Sequence, residues 1–165
     1  MMADVAGFIA DKLARPGATW RVHTAGTLDV LPDATARALK KAVEATLECA
    51  TGAHVTLAIG YGGRQEVLDA IRALLYEQAA GGGTLTGLAE TLTTDDIARH
   101  LYTAGQPDPD LVIRTSGEQR VSGFLPWQTV HSEVYFCDAY WPAFREIDFL
   151  RALRSYAARQ NRRGA

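Results

Sequence analysis

The chain has 165 residues, 47% of them hydrophobic and 22% charged, and Lys+Arg 17 against Asp+Glu 19 leaves a net charge of -2. A single domain of this size buries about 70% of its unfolded surface, so it folds without a disulfide or metal staple, and its near-neutral charge excludes a wholesale nucleic-acid coat. No apolar run approaches the ~20 residues of a membrane span, the start Met1-Met2-Ala3-Asp4 has no basic, apolar leader, and Cys49 and Cys137 lack ligand spacing, which together predict a cytoplasmic protein with reduced, buried thiols.

In chain order, Val5, Phe8, Ile9 and Leu13 predict a short helix that stops at Pro16-Gly17, and residues 20–24 read as a strand. Pro32-Asp33 opens a helix, because proline in the first turn forfeits no needed donor and an early acid suits the dipole. Its apolar face runs through Thr35, Ala38, Leu39, Ala42, Val43, Thr46, Leu47 and Ala50. A second strand spans residues 54–59, followed by the turn Gly60-Tyr61-Gly62-Gly63 and a helix with Val67, Leu68, Ile71, Leu74 and Leu75 inward. Gly81-Gly82-Gly83-Thr84 is a flexible connection to the next helical pattern. Thr93 or Thr94 caps a short helix through Leu101. The run Leu111-Val112-Ile113 reads as a strand buried on both faces, residues 134–137 as a fourth strand, and a last helix starts near Ile147 with Leu150, Leu153 and Tyr156 inward. The order predicts an α/β fold: one domain, 1–165, with a mainly parallel sheet and helices on both faces. Four strands are few for that architecture, so the sheet reads as incomplete or as paired with something.

The densest polar stretch follows the third strand, from Arg114-Thr115-Ser116-Gly117-Glu118 to Gln119-Arg120-Val121-Ser122-Gly123. Ligands of open α/β sheets sit beyond the carboxyl ends of strands, where Arg114 falls. Two arginine forks, several hydroxyls and two glycines suit a doubly charged phosphate ester. The plainer alternative is a surface loop whose arginines pair with Glu118 and neighbouring acids. Tyr61-Gly62-Gly63-Arg64 also ends a strand and opens a helix, where an anion or simply a tight packing turn fits. Glu133 could hold Mg²⁺ against a diphosphate or be a salt-bridged residue. His131 reads as structural, and His23, His54 and His100 as isolated, with no metal set. Arg151, Arg154, Arg159, Arg162 and Arg163 crowd the C-terminus, either as cations on a helix's negative end or as an arm toward a partner's anion.

The stretch Asp108 to Phe124, with Trp127-Gln128, Ser132-Glu133-Val134-Tyr135-Phe136 and Trp141-Pro142-Ala143-Phe144, resembles the C-terminal signature of cis-prenyltransferases, the undecaprenyl diphosphate synthase-like enzymes. The resemblance extends upstream through Gly26, Leu31-Pro32, Thr46 and Tyr61-Gly62-Gly63-Arg64, and downstream to Arg162-Arg163-Gly164, which is similar to the family's terminal Arg-x-Gly. It implies condensation of isopentenyl diphosphate with an allylic diphosphate, assisted by Mg²⁺, to give a cis-polyprenyl diphosphate. It further implies that Arg114, Arg120 and Ser122 grip the isopentenyl diphosphate and that Glu133 sits by the Mg²⁺ or orders the site around it. By the same resemblance Arg162 and Gly164 reach the neighbouring subunit's acceptor site in a homodimer or heterodimer, and apolar product brings the protein to the membrane periphery.

The family's first motif, a His-x-Ala-x-Ile-Met-Asp-Gly-Asn-Gly-Arg-like stretch with the catalytic aspartate, the N-terminal strand and the phosphate loop, has no counterpart here. Nor does its Ser-x-Glu-Asn-Trp-like block. No catalytic residue is therefore assigned, and the 165-residue chain alone is expected to lack condensation activity. The alternative is a non-catalytic partner subunit of a heteromeric cis-prenyltransferase; an unrelated anion-binding α/β module is the third reading.

Overall fold

The computed structural model describes Phe8, Lys12 and residues 19–48 and 52–163, with the side chains of 160–163 excepted. Phe8 and Lys12 are helical, with the Lys12 ammonium 4.8 Å from the Phe8 ring centroid, while Val5, Ile9, Leu13, Pro16-Gly17, Cys49 and Ala50 lie outside the described residues. The chain falls into two compact units, Met1–Ala104 and Gly105–Ala165. Among the described residues each holds one two-stranded parallel sheet, so the four expected strands are present but pair as two couples.

In the first unit, β1 (Arg21–Ala25) and β2 (His54–Ala58) pair in parallel with Arg21 opposite His54 and Ala25 opposite Ala58. Between them a 3₁₀ turn (Leu28–Val30) leads to α1 (Asp33–Ala45), with Pro32 at its N-cap. Thr35, Leu39, Ala42 and Thr46 recur at helical spacing and are all buried. Val22 and Ala42 form the core contact, with Val43 and Leu57 packed around it. The Thr46 hydroxyl accepts from the Val22 N–H at 3.0 Å and donates to the Ala42 carbonyl at 2.9 Å, so a polar residue on the apolar face fixes α1 to β1.

α2 (Gly63–Ala80) is turned differently from its apolar pattern. Gly63, Glu66, Ala70 and Leu74 are buried, whereas Leu68, Ile71 and Leu75 are exposed. The reason is polar. Glu66, fully buried, accepts from the Tyr61 hydroxyl at 2.6 Å and from the Tyr102 N–H at 3.0 Å. One turn on, Asp69 accepts from the Tyr102 hydroxyl at 2.6 Å, a bond that holds the Asp69 carboxyl below its usual range. A buried carboxylate must keep its donors, and that requirement outranks three leucine-type side chains.

α3 (Leu85–Thr91) follows the glycine run, capped by Thr84, which accepts from the Gly87 N–H at 3.1 Å. α4 (Thr94–Ala98) starts at a Thr93–Asp96 capping box and stops three residues before the expected Leu101.

His23 and His54, 31 positions apart, are not isolated: parallel pairing brings His23 Nε2 within 2.9 Å of His54 Nδ1. Burial, then His54, then Arg21, hold His23 below its ordinary 6.5. The native state thus prefers His23 neutral, while the unfolded chain takes up the proton first as pH falls through 6.5. Thermal stability is expected to fall as pH drops from that point toward the lower native value. His23→Asn should flatten this slope in melts followed by circular dichroism between about pH 7 and pH 5.

In the second unit, β3 (Leu111–Arg114) pairs in parallel with β4 (Glu133–Phe136), Leu111 opposite Glu133 and Arg114 opposite Phe136. A 3₁₀ turn (Trp141–Ala143) precedes α5 (Glu146–Arg163), which packs against β4. β3 is half-buried throughout rather than buried on both faces, because among the described residues it has one partner strand and its residues line an open cavity. On α5 the buried positions are Asp148 and Ala152, while Leu150 and Leu153 are exposed and Tyr156 is half-buried. Asp148 is drawn in by polar contacts, accepting from the Arg145 N–H at 3.1 Å and from Arg151 at 3.1 Å.

Candidate anion site beyond the third strand

Arg114 is the last residue of β3, and the strand ladder continues past it. The Cys137 N–H bonds the Arg114 carbonyl at 2.8 Å, the Ser116 N–H the Ala139 carbonyl at 2.9 Å, and the Gly117 N–H the Cys137 carbonyl at 3.0 Å. These bonds pull the chain into a tight reversal. Ser116 at φ 88° and Gly117 at φ 72° take the left-handed region, and Ser122 at 50°, Gly123 at 71° and Leu125 at 44° do so again. Three of these five are not glycine, and non-glycine residues at positive φ carry strain of order 1–3 kcal/mol each that clusters at functional sites.

The loop gathers charge. One oxygen of Glu118 accepts from Arg114 Nη2, and the other from Arg120 Nη2 at 3.0 Å. Arg114 is only 25% exposed, and its Nε is buried with no hydrogen-bond partner. A guanidinium nitrogen in that condition is costly unless something accepts from it. Ser122, further along the loop, is exposed.

Beside the loop lies a cavity of about 610 Å³. Leu111, Ile113, Phe124, Leu125, Val134 and Trp141 give it apolar walls, and Arg114, Thr115 and Ser116 give it a polar margin. Such a space takes a molecule with an anionic head and a short apolar body. Nothing in the sequence marks Tyr140 and Trp141 as residues of its wall.

Glu133 lies elsewhere on the sheet. It opens β4 opposite Leu111, three residues from the level of Arg114, or ~10 Å along the strands at about 3.3 Å per residue. Its side chain, 15% exposed, accepts from Arg159 Nη1 at 2.8 Å, and the same nitrogen reaches the Val134 carbonyl at 3.3 Å. Arg159 is thus more than one of several terminal cations. Spacing is the signal that sets it apart: eleven residues from Asp148 is three helical turns, which puts both on the face toward β4.

Magnesium is held through one or two carboxylates together with phosphate oxygens and water. Among the described residues no group of three His, Cys, Asp or Glu could hold a metal, Glu133 is engaged by Arg159, and Glu118 lies between two arginines. Glu133, the carboxylate expected beside Mg²⁺, is thus ion-paired and lies apart from the arginine loop. Arg162 lies in α5 with its side chain outside the described residues, as is Gly164 altogether. No described helix is long and apolar enough to cross a membrane.

Residues 4–164 match the family described as "Putative undecaprenyl diphosphate synthase". The chain is 70% identical to an isoprenyl transferase of Streptomyces fradiae over its whole length, which is 64% of that protein. It is 54% identical to a (2Z,6E)-farnesyl diphosphate synthase of Mycolicibacterium smegmatis, covering 94% of this chain and 59% of that one. The crystal structure of lavandulyl diphosphate synthase from Lavandula x intermedia in complex with dimethylallyl diphosphate superposes with a TM-score of 0.82 at 30% identity, over 94% of this chain and 64% of that one. The chain thus spans about two-thirds or less of the length of these relatives. The mixed α/β architecture with parallel strands agrees with that neighbour, and the match over nearly every residue is decisive: the chain belongs to the undecaprenyl diphosphate synthase family of cis-prenyltransferases.

Proposed function

We propose that the chain supplies the acceptor side of an enzyme that condenses isopentenyl diphosphate with an allylic diphosphate to form a cis-prenyl diphosphate, and that the loop after β3 holds the acceptor's diphosphate. The observation that carries this is Arg114: a guanidinium at a strand's carboxyl end, with a buried Nε lacking an acceptor, at the margin of an apolar cavity. Arg114 and Arg120 would neutralise the diphosphate, and Ser122 would donate to it. The cavity would take the five-carbon body and exclude water. The acceptor alkene attacks C1 of the allylic donor, whose diphosphate leaves with the bonding pair, and loss of a proton sets the new double bond. Charge and position do this work, and no covalent nucleophile is required.

Mg²⁺ belongs to the proposal as a cation that would offset diphosphate charge when bound, and no step is routed through Glu133. Glu133 instead orders β4 against α5 through Arg159. Arg162 and Gly164 are assigned to the terminal arm of a dimer, and residues 1–165 to a single domain. The cytoplasm, with contact at the membrane surface where an apolar product is handed on, is the proposed location. The transferase names of the relatives do not favour the partner-subunit reading.

Calorimetric titration of the chain with isopentenyl diphosphate should show saturable binding that inorganic pyrophosphate competes away. Absence of heat up to millimolar ligand would sink the assignment of the loop.

A further inference from the structure

Glu118 spends both carboxylate oxygens on the two arginines assigned to the ligand, Oε2 on Arg114 and Oε1 on Arg120 at 3.0 Å. It is itself 46% exposed, and Arg120 is 71% exposed, so water and solutes reach the trio. Two guanidinium groups around one carboxylate leave a net charge of +1. A carboxylate in that place has the planar, two-oxygen geometry that a phosphate oxygen pair would present to the same forks.

We propose that Glu118 is a displaceable stand-in for the ligand: its carboxylate keeps the two arginines ordered until a diphosphate takes its place, and it competes for the same donors thereafter. This role rests on the acceptor-site reading of the loop. A singly charged anion replaces one negative charge by another and gains little. A diphosphate brings more charge than Glu118 gives up, so the exchange favours it. The loop is thereby held ready and kept clear of weak anions. Exposed ion pairs are weak enough for such an exchange to be reversible.

Removing a competitor has a sign opposite to removing a support. Glu118→Gln is expected to bind inorganic pyrophosphate about three- to tenfold more tightly than the parent chain, on the scale of one ordinary net hydrogen bond. Glu118→Asp, whose shorter carboxylate reaches only one arginine well, should fall between them. In the parent chain labelled with ¹³C at glutamate carboxyls, the Glu118 signal should move on saturation with pyrophosphate. Unchanged or weaker binding by Glu118→Gln, or a Glu118 signal that stays put at saturation, overturns the stand-in role while leaving the anion site intact. Failure of parent and variant alike to bind pyrophosphate overturns the acceptor-site reading and this role with it.

Discussion

Arg114→Ala should weaken binding of isopentenyl diphosphate by about 10²–10⁴-fold while the chain stays folded. The guanidinium has two groups that a diphosphate could engage, the buried Nε without an acceptor and the Nη2 now shared with Glu118. Hydrogen bonds to charged partners contribute roughly 1.5–3 kcal/mol each, and 1.4 kcal/mol is a factor of ten, so losing two gives that range. Native stability should barely change. Truncation removes an orphaned donor, which relieves a penalty, and the ion pair with Glu118 is partly exposed and of small worth. Lysine at this position keeps the charge but not the fork, so Arg114→Lys should recover part of the affinity and not all of it. Titration calorimetry gives the affinities and thermal melts the stability. A variant that loses fold and affinity together would mark Arg114 as structural; one that keeps its affinity would remove it from the site.

The expected separation of binding from folding at Arg114 bears also on why the proposed site is legible in the amino-acid sequence. A loop that evolves to hold an external anion keeps groups the fold does not use, and those stand out: arginines, hydroxyls and glycines in one run at the end of an apolar strand. The long block from Asp108 to Phe124 carries the family resemblance for the same reason. The strands themselves are legible to within a residue or so, since Arg21–Ala25 and His54–Ala58 are short β-rich runs between turn signals.

Helix rotation is not. Apolar spacing puts Leu68, Ile71 and Leu75 inside, and a single buried carboxylate, Glu66, turns α2 away from them. Leu150 and Leu153 mislead on α5 in the same manner, with Asp148 and Ala152 the described residues that are buried. Periodicity counts apolar area and is blind to the donors that a particular acid will find 36 residues away, as Glu66 finds the Tyr102 N–H. Pairing over such distances is the information that one sequence lacks. His23 with His54 and Glu133 with Arg159 are invisible in it for that reason.

The Glu133–Arg159 pair carries the second large effect. Arg159→Ala should lower stability by about 2–3 kcal/mol, because it takes a charged partner from a carboxylate that is 15% exposed, whereas Glu133→Gln should cost only about 1–2 kcal/mol, leaving an amide that still accepts from Arg159. Arg159 is 42% exposed, which keeps both figures below those of a fully buried pair. For a chain of this length each kcal/mol moves the melting temperature by roughly 2–4 °C, so Arg159→Ala should melt about 5–10 °C lower. The double variant should cost less than the sum of the singles, with a coupling of about 1 kcal/mol. Additive losses would mean that the contact at 2.8 Å does not join α5 to β4 in solution. The same variants separate the two roles open to Glu133. A tether makes Glu133→Gln less stable yet leaves the response of diphosphate affinity to added Mg²⁺ as in the parent. A metal ligand abolishes that response at little cost in stability. The position of Glu133, at the amino edge of β4 and ~10 Å along the sheet from the level of Arg114, favours the tether.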